Sequence, residues 1–153
     1  MAGLLRYTVG EVVEVSARYD CLAHEWGLEW ENNDVGAAWL RFENGALGTL
    51  LNGYALRHTL GKQGIEIYCT DARFEWFPAA KRCLAYLGQE RGEWVDETKV
   101  LHQPEDLAFI EAIRTQNPAS ILCDYREGVR TLALSLALNE AADTGESVSV
   151  WRE

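Results

Sequence analysis

The main change of period in the hydrophobic pattern of this chain falls close to Pro104, and this change limits the folds that the chain can adopt. Before Pro104, apolar residues recur at every second position in short runs, as they do in β-strands. After it, Leu107, Ile110 and Ile113 recur at helical spacing. Strands followed by helices predict an α+β fold, in which an open-faced, mainly antiparallel sheet has helices packed on one face.

The strands are predicted to form an antiparallel meander of three hairpins. The runs 35–42 and 47–56 flank Asn44-Gly45, a dipeptide that is the strongest short signal of a hairpin turn. A second hairpin is predicted between 64–70 and 73–77, with its turn at Asp71-Ala72. A third is predicted between 82–87 and 93–101, with its turn within 89–92.

Glycines and capping residues set the predicted helix ends. The chain begins in a helix that ends at Gly10, before a strand with Val13, Val15 and Ala17. The helix after Pro104 stops at Asn117-Pro118. A last helix begins after Asp124, which forms a capping box with Glu127, and ends at Gly145. Its predicted apolar face consists of Val129, Leu132, Ala133, Leu136 and Ala137.

Both faces of the first hairpin carry apolar side chains, since Trp39 and Leu40 alternate on one strand and Leu50 and Leu51 on the next. An antiparallel sheet with one solvated face is normally polar on that face. Two helices cannot cover both faces, so the second face is expected to be covered by something else, with Trp39 and Leu51 as the candidate covered residues.

Composition excludes several classes of function. The chain of 153 residues fits one domain, and its net charge of −10 disfavours nucleic acid and anionic membrane surfaces as partners. No apolar run approaches the length of a membrane span, and no signal peptide is recognised, so a cytoplasmic location is expected. The four cysteines show no metal-ligand spacing, which predicts free, mostly buried thiols and no metal site.

Motifs for chemistry are largely absent from the sequence. No G-x-G-x-x-G run is available to bind a dinucleotide, and no G-x-S-x-G elbow is available for a nucleophile. We therefore predict no catalytic, cofactor-binding or metal-ligating residue. Arg57 and His58 are the candidates for substrate binding, because they end a predicted central strand beside the glycine-bearing loop 61–64. A solvated strand end is the alternative interpretation of this pair.

Several segments, in order, resemble the C-terminal domain of the glucose-fructose oxidoreductase, inositol dehydrogenase and rhizopine-catabolism (Gfo/Idh/MocA) family. The resemblance extends over nearly the whole chain, and its order and spacing are more specific than any single piece. The segments are Leu4-Leu5-Arg6-Tyr7 with Gly10, Ala38-Trp39-Leu40-Arg41-Phe42 with Glu43-Asn44-Gly45-Ala46-Leu47-Gly48-Thr49-Leu50, Gly64-Ile65-Glu66-Ile67-Tyr68, Phe109-Ile110-Glu111-Ala112-Ile113, and Asp124-Tyr125-Arg126-Glu127-Gly128-Val129-Arg130 with Ala142-Asp143-Thr144-Gly145.

The resemblance implies an NAD(P)-dependent sugar or polyol oxidoreductase as the parent protein. In that family an N-terminal Rossmann domain binds NAD(P), and the catalytic Lys, Asp and His precede the position of Gly3. The chain is therefore expected to be a single domain at 1–153 without the cofactor domain, inactive alone and binding no cofactor. The sheet of such domains pairs with a second subunit, and its edge shapes the substrate pocket. The resemblance therefore implies a homodimer through the sheet, with Trp39 and Leu51 at its interface.

A second hypothesis comes from a different class of function. The same fold could serve as a free-standing, non-enzymatic dimeric module for ligand binding or assembly. Both hypotheses predict self-association, whereas a cofactor domain, separate or encoded in frame upstream, is expected only for the oxidoreductase.

Overall fold

The structure of the chain, a computed structural model, describes residues 2–22, 33–53, 64–77, 80–95 and 103–151. The predicted α+β class is confirmed, with the strands divided between two four-stranded antiparallel sheets. The elements in chain order are α1 (Ala2–Val9), β1 (Val12–Asp20), β2 (Val35–Phe42), β3 (Leu47–Gly53), β4 (Ile65–Tyr68), β5 (Ala72–Phe77), β6 (Arg82–Leu87), β7 (Glu90–Val95), α2 (Gln103–Thr115), a 3₁₀ turn (Pro118–Ser120), α3 (Tyr125–Thr144) and β8 (Val148–Ser149).

The chain forms two compact units, one comprising Met1–Leu56 with Leu122–Glu153 and the other Arg57–Ile121. The first unit contains sheet A, with strand order β3-β2-β1-β8, together with α1 and α3. The second contains sheet B, with strand order β4-β5-β6-β7, together with α2 and the 3₁₀ turn. Sheet B is a sequential meander, whereas sheet A brings the last strand of the chain beside the first.

The main hydrophobic core lies between sheet A and α3. Val15 pairs with Leu40 across β1 and β2, and both side chains are almost fully buried against Leu134 of α3. Ala137 and Ala141 of α3 complete this layer. Small residues on the helix let it approach the sheet closely, so a single long helix suffices to bury the sheet's central strands.

A register shift places Val12, and not the predicted Val13, in this core. The pairing of β1 with β2 shifts between Val12 and Glu14, where Val12 pairs with Phe42 and Glu14 with Arg41. A bulge of this kind breaks the strict alternation of faces, so Val12 is buried while Val13 is half-buried. Alternation resumes at Val15 and Ala17, which are buried as predicted.

The predicted hairpin at Asn44-Gly45 is confirmed. Gly45 adopts a left-handed φ of 87°, and its amide donates to the carbonyl of Phe42 at 3.0 Å. The Asn44 side-chain oxygen accepts from the amide of Ala46, also at 3.0 Å. These contacts fix a register that pairs Leu40 with Gly48 and Ala38 with Leu50.

The other two hairpins form, with turns that differ from prediction. In the second, Ala72 is already in β5, paired with Leu87, so it does not belong to the turn. In the third, Leu87 pairs with Glu90, and the turn consists of Gly88 and Gln89. Gly88 has a φ of 61°, so a two-residue turn is accessible there and β7 begins three residues earlier than predicted. Residues 96–101 of the predicted strand lie outside the described residues.

The predicted helix ends are confirmed for all three helices. Gly10 and Gly145 both have left-handed φ values, and the amide of each donates to a carbonyl four residues earlier. The Asp124 side chain caps α3 by accepting from the amide of Glu127 at 2.9 Å. After α2, the Asn117 side chain accepts from the amide of Ala119 and starts the 3₁₀ turn.

The predicted apolar face of α3 is wrong in part. The buried residues are Leu134, Ala137, Leu138 and Ala141, whereas Leu132 and Leu136 are exposed. Leucine and alanine surround this helix on most sides, so its sequence contains two overlapping apolar stripes. In α2 the predicted stripe of Leu107, Ile110 and Ile113 is also exposed. None of the described helices combines the length and apolar character that crossing a bilayer requires.

Candidate functional site

The two predicted interface residues lie on the same surface, the face of sheet A opposite α3. Trp39 pairs with Thr49 and Ala37 with Leu51, so the side chains of Trp39 and Leu51 point to one side. Their neighbours in register, Ala38 and Leu50, point to the core. Trp39 is 38% exposed and Leu51 is 81% exposed.

This surface, which we call the open face, combines apolar and paired polar residues. Leu47 and Thr49 lie on it beside Leu51. The carboxylate of Glu14 on β1 forms an ion pair with Arg41 on β2, directly across the strands. The hydroxyls of Ser16 and Ser147 lie 2.7 Å apart. An apolar strip on β2 and β3 is therefore bordered by polar groups on β1.

Arg57 and His58, the predicted substrate-binding pair, lie outside the described residues. The described part of β3 ends at Gly53, shortly before them in sequence. Of the four cysteines, all free, Cys69 and Cys123 are exposed and Cys21 and Cys83 are half-buried. The prediction of mostly buried thiols is therefore wrong, since two of the cysteines fall in turns and not on core-facing positions.

A cleft that the sequence did not predict lies on the helix side of sheet A, beside α3. Its volume is about 460 Å³. Asn52 of β3 contributes to one side, and Asn139 and Asp143, one turn apart on α3, contribute to the other. Gly36 and Ala38 of β2 also line the cleft. The described residues that line it all belong to the first compact unit.

The cleft exists because α3 packs along β1 and β8, leaving space beside it over the ends of β2 and β3. Tyr19 of β1 forms part of its wall, with its ring lying directly over Gly36. A Cβ atom at position 36 would lie 2.7 Å from the nearest ring carbon, so this packing requires glycine. Burial raises the pKa of the Tyr19 phenol, which stays protonated at neutral pH and can donate a hydrogen bond.

A second feature that the sequence did not predict is a buried arginine in α1. The Arg6 guanidinium, whose side chain is 4% exposed, binds both carboxylate oxygens of Glu11 at 2.6 and 2.9 Å. It also binds the Glu127 carboxylate at 2.9 Å, the Glu127 carbonyl at 3.0 Å and the Thr131 hydroxyl at 2.9 Å. All five guanidinium N–H groups are thereby used.

This group, which we call the Arg6 clamp, joins α1 and the segment leading into β1 to the first turns of α3. The hydrogen bond to Glu11 is the largest influence that raises the pKa of Arg6. Burying an unpaired cation would lower the stability of the fold, and the two carboxylates offset this effect by pairing with the Arg6 guanidinium. In the sequence the only signal was a charged residue within the apolar turn Leu4-Leu5-Arg6-Tyr7, because Glu127 is remote along the chain.

The described residues offer no cradle for a dinucleotide or a metal ion. Their glycines with left-handed φ, at positions 10, 45, 88 and 145, follow helices or lie in hairpin turns and do not form a strand-to-helix phosphate loop. Within the same ranges, no group of three His, Cys, Asp or Glu side chains could hold a metal ion.

Comparison with known families identifies the first half of the chain. Residues 2–75 match the model of the GFO/IDH/MocA C-terminal domain. A comparison with curated proteins gave no match.

Solved structures extend the likeness to the whole chain. Levoglucosan dehydrogenase in complex with NADH matches with a TM-score of 0.76 and 18% identity, over 99% of this chain and 48% of its own. An NAD binding oxidoreductase from Klebsiella pneumoniae matches with a TM-score of 0.76 and 14% identity, over 99% and 48% of the two chains. The WlbA dehydrogenase from Bordetella pertussis, in complex with NADH and UDP-GlcNAcA, matches with a TM-score of 0.61 and 23% identity, over 99% and 43%.

The chain therefore spans about half the length of these solved structures. At such low identities the structural likeness shows a shared fold, while the family model matches from α1 into β5. Together they bear out the resemblance noted from the sequence: residues 2–75 match the model of the GFO/IDH/MocA C-terminal domain, and the chain shares its fold with solved oxidoreductases over nearly its whole length.

Proposed function

We propose that this chain is the substrate-side and dimerisation domain of a cytoplasmic, NAD(P)-dependent sugar or polyol oxidoreductase, and that it is inactive without a cofactor domain. The observation that carries the proposal is the family match over residues 2–75. It is supported by a fold shared, over 99% of this chain, with a levoglucosan dehydrogenase in complex with NADH. Hydride chemistry would be supplied by the cofactor, and this domain would contribute to binding and orienting the substrate.

The cleft beside α3 supports the substrate-side role. Asn52, which lines it, lies on the strand that leads toward Arg57 and His58. We propose that Arg57 and His58 also contribute to substrate binding. The related structures include complexes of levoglucosan dehydrogenase with levoglucosan and with L-sorbose.

The open face supports the dimerisation role. Leu47 and Leu51 are largely exposed, and Trp39 lies between them on β2. Apolar side chains grouped on one uncovered sheet face favour association, and the occupant we propose is the same face of a second copy. An obligate interface of this kind buries on the order of 2,000 Å² or more.

Nicotinamide binding is tested by titrating NADH and NADPH against the purified chain, with fluorescence and calorimetry as readouts. We expect no binding at micromolar concentrations, because the dinucleotide site would belong to a separate cofactor domain. Micromolar affinity for either cofactor would contradict the proposal.

The dimer is tested by Leu51→Glu, with Leu122→Glu as the matched control. Leu51 lies on the open face and Leu122 just before α3, and their exposed fractions are similar, 81% and 79%. Burying an unpaired carboxylate in an interface is strongly unfavourable, so Leu51→Glu should shift sedimentation from dimer to monomer. Trp39→Glu should do the same, and Leu122→Glu should leave the dimer intact. A wild-type monomer at micromolar concentration would contradict the dimerisation role.

A free-standing, non-enzymatic dimeric module for binding or assembly is the second candidate. It is favoured by the cleft, whose described lining residues all belong to the first compact unit, so that a ligand could be held by that unit alone. The coding sequence upstream of Met1 discriminates between the two candidates. A Rossmann segment in frame supports the oxidoreductase, and an independent promoter and ribosome-binding site support the free-standing module.

A further inference from the structure

We propose that the cleft beside α3 is a preformed site for an uncharged, polyhydroxylated ligand, and that Asn139 and Asp143 of α3 determine its selectivity against anionic sugars. The inference rests on the proposed function for the general class of ligand. It adds the location of the site, two residues that define it, and a preference of charge that the proposed function does not contain.

The arrangement of hydrogen-bonding groups is the first support. Asn139 and Asp143 lie one turn apart on the same flank of α3, and Asn52 reaches the cleft from β3. None of the three makes a side-chain hydrogen bond to another described residue, and all three are exposed to solvent. They can therefore exchange water for a ligand without breaking contacts within the described part of the chain.

The types of these groups suit hydroxyls. A carboxamide both donates and accepts hydrogen bonds, and a carboxylate accepts them from hydroxyl donors. The neighbouring hydroxyls of a vicinal diol both donate and accept, so they can bind to groups of both kinds. The hydrogen bond from a hydroxyl to a carboxylate is charge-assisted and stronger than one between neutral groups. Gly36 and Ala38 add a small apolar surface on which the C–H groups of a sugar ring could pack.

Charge is the second support. The residues lining the cleft in the described part of the chain include Asp143 and no Lys, Arg or His. The whole chain adds a net charge of −10. A carboxylate or phosphate on the ligand would meet a like charge with no counter-ion among these residues, so neutral polyols should bind better than their acidic counterparts.

The shape of the cleft is the third support. The Tyr19 ring rests on Gly36, and both line the cleft, so that part of its wall is fixed by packing before any ligand arrives. A wall that is already ordered costs little conformational entropy on binding. The volume of about 460 Å³ is within the range usual for small-molecule sites.

The test uses the full 153-residue chain and three probes, D-glucose, myo-inositol and D-glucuronate, with backbone-amide NMR shifts as the readout. We expect one of the two neutral compounds to shift the amides of Gly36, Asn52 and Asn139, and D-glucuronate to bind roughly tenfold more weakly or not at all. Asn139→Ala should weaken binding of the neutral probe by roughly tenfold, the typical cost of a hydrogen bond. Asp143→Asn, an isosteric change, should reduce the discrimination against D-glucuronate.

Glu140→Gln is the control, because it removes one negative charge from the same helix at an exposed residue that does not line the cleft. It should leave both the affinity and the discrimination unchanged. The proposal is overturned if neither neutral probe binds at tens of millimolar, if shifts map away from the cleft, or if Asn139→Ala and Asp143→Asn behave like Glu140→Gln. Those outcomes leave the cofactor titration and the Leu51→Glu result unaffected, so failure of this inference is distinguishable from failure of the proposed function.

Discussion

Sheet A and sheet B have the same number of strands but are stabilised in different ways. Sheet A buries a continuous core against α3, with Val15, Leu40 and Leu134 at its centre. In sheet B only Leu84 and Ala85 are buried among the described residues. Equal strand number therefore does not imply equal stability, because sheet stability depends on what the faces pack against.

Sheet B, with fewer buried residues, also has cross-strand pairs of charged and aromatic side chains. Arg82 forms an ion pair with Glu93 at 2.6 Å, and the Arg73 guanidinium lies 4.1 Å from the centre of the Tyr86 ring. Partly exposed pairs of this kind contribute little individually. We therefore expect sheet B to exchange its amide hydrogens faster than sheet A, and the following substitutions test that difference.

The largest effect is expected from Leu134→Ala. Leu134 is 1% exposed, so its truncation leaves a cavity and should lower the free energy of unfolding by about 2–5 kcal/mol. Chemical denaturation gives this value, and hydrogen exchange should show faster exchange mainly in β1 and β2. Leu136→Ala, at an exposed position of the same helix, is the control and should cost about 0.5 kcal/mol or less. Equal losses in the two variants would mean that the core is not centred on Leu134.

Arg6→Met should have the next largest effect. It leaves the carboxylates of Glu11 and Glu127, which are 34% and 39% exposed, without their shared cation. Because these partners retain some solvent, we expect a loss of about 2–3 kcal/mol, below that of a fully buried pair. The thermal unfolding midpoint measures it. Arg114→Met removes an exposed pair with Glu111 on α2 and should leave the midpoint nearly unchanged. A similar small shift for Arg6→Met would contradict the role assigned to the Arg6 clamp.

The smallest effects are expected from the matched pair Gly45→Ala and Gly88→Ala. Both glycines have left-handed φ values, 87° and 61°, and an added Cβ meets no atom within 4 Å at either position. Each substitution should cost about 1 kcal/mol through backbone strain alone. Hydrogen exchange distinguishes the two variants. For Gly45→Ala, the faster amide exchange should stay near the turn in sheet A, whereas for Gly88→Ala it should extend along β6 and β7 in sheet B. The expected difference between the sheets is contradicted if Gly45→Ala speeds amide exchange over as many residues of sheet A as Gly88→Ala does in sheet B.

Features set by neighbouring residues were predictable from the sequence. The Asn44-Gly45 turn, the cap at Asp124 and the left-handed glycines at positions 10, 45 and 145 depend on local conformational preferences, which the sequence displays directly. The alternation in β2 also placed Trp39 and Leu51 on one face once the register was fixed. The α+β class followed from the same local periods.

Features that depend on remote partners were not predictable. The buried face of α3 could not be chosen, because Leu132 and Leu136 form as good a stripe as Leu134 and Leu138 until the sheet is in place. The Arg6 clamp joins residues at opposite ends of the sequence. The cleft arises because α3 lies over β1 and β8 and leaves a space beside it. The position of the helix on the sheet depends on tertiary packing, so no local sequence pattern predicts the cleft.

The strand order of sheet A has a consequence for the timing of folding during synthesis. Glu14 of β1 pairs with Ser149 of β8, and the core of β1 is completed by α3, so this sheet cannot be finished until almost the whole chain has left the ribosome. The hairpins of sheet B join neighbouring segments and can form as they emerge. Within this chain, β1 and β2 are therefore made before the strands of sheet B but completed after them, so their apolar side stays uncovered while the intervening segment is synthesised.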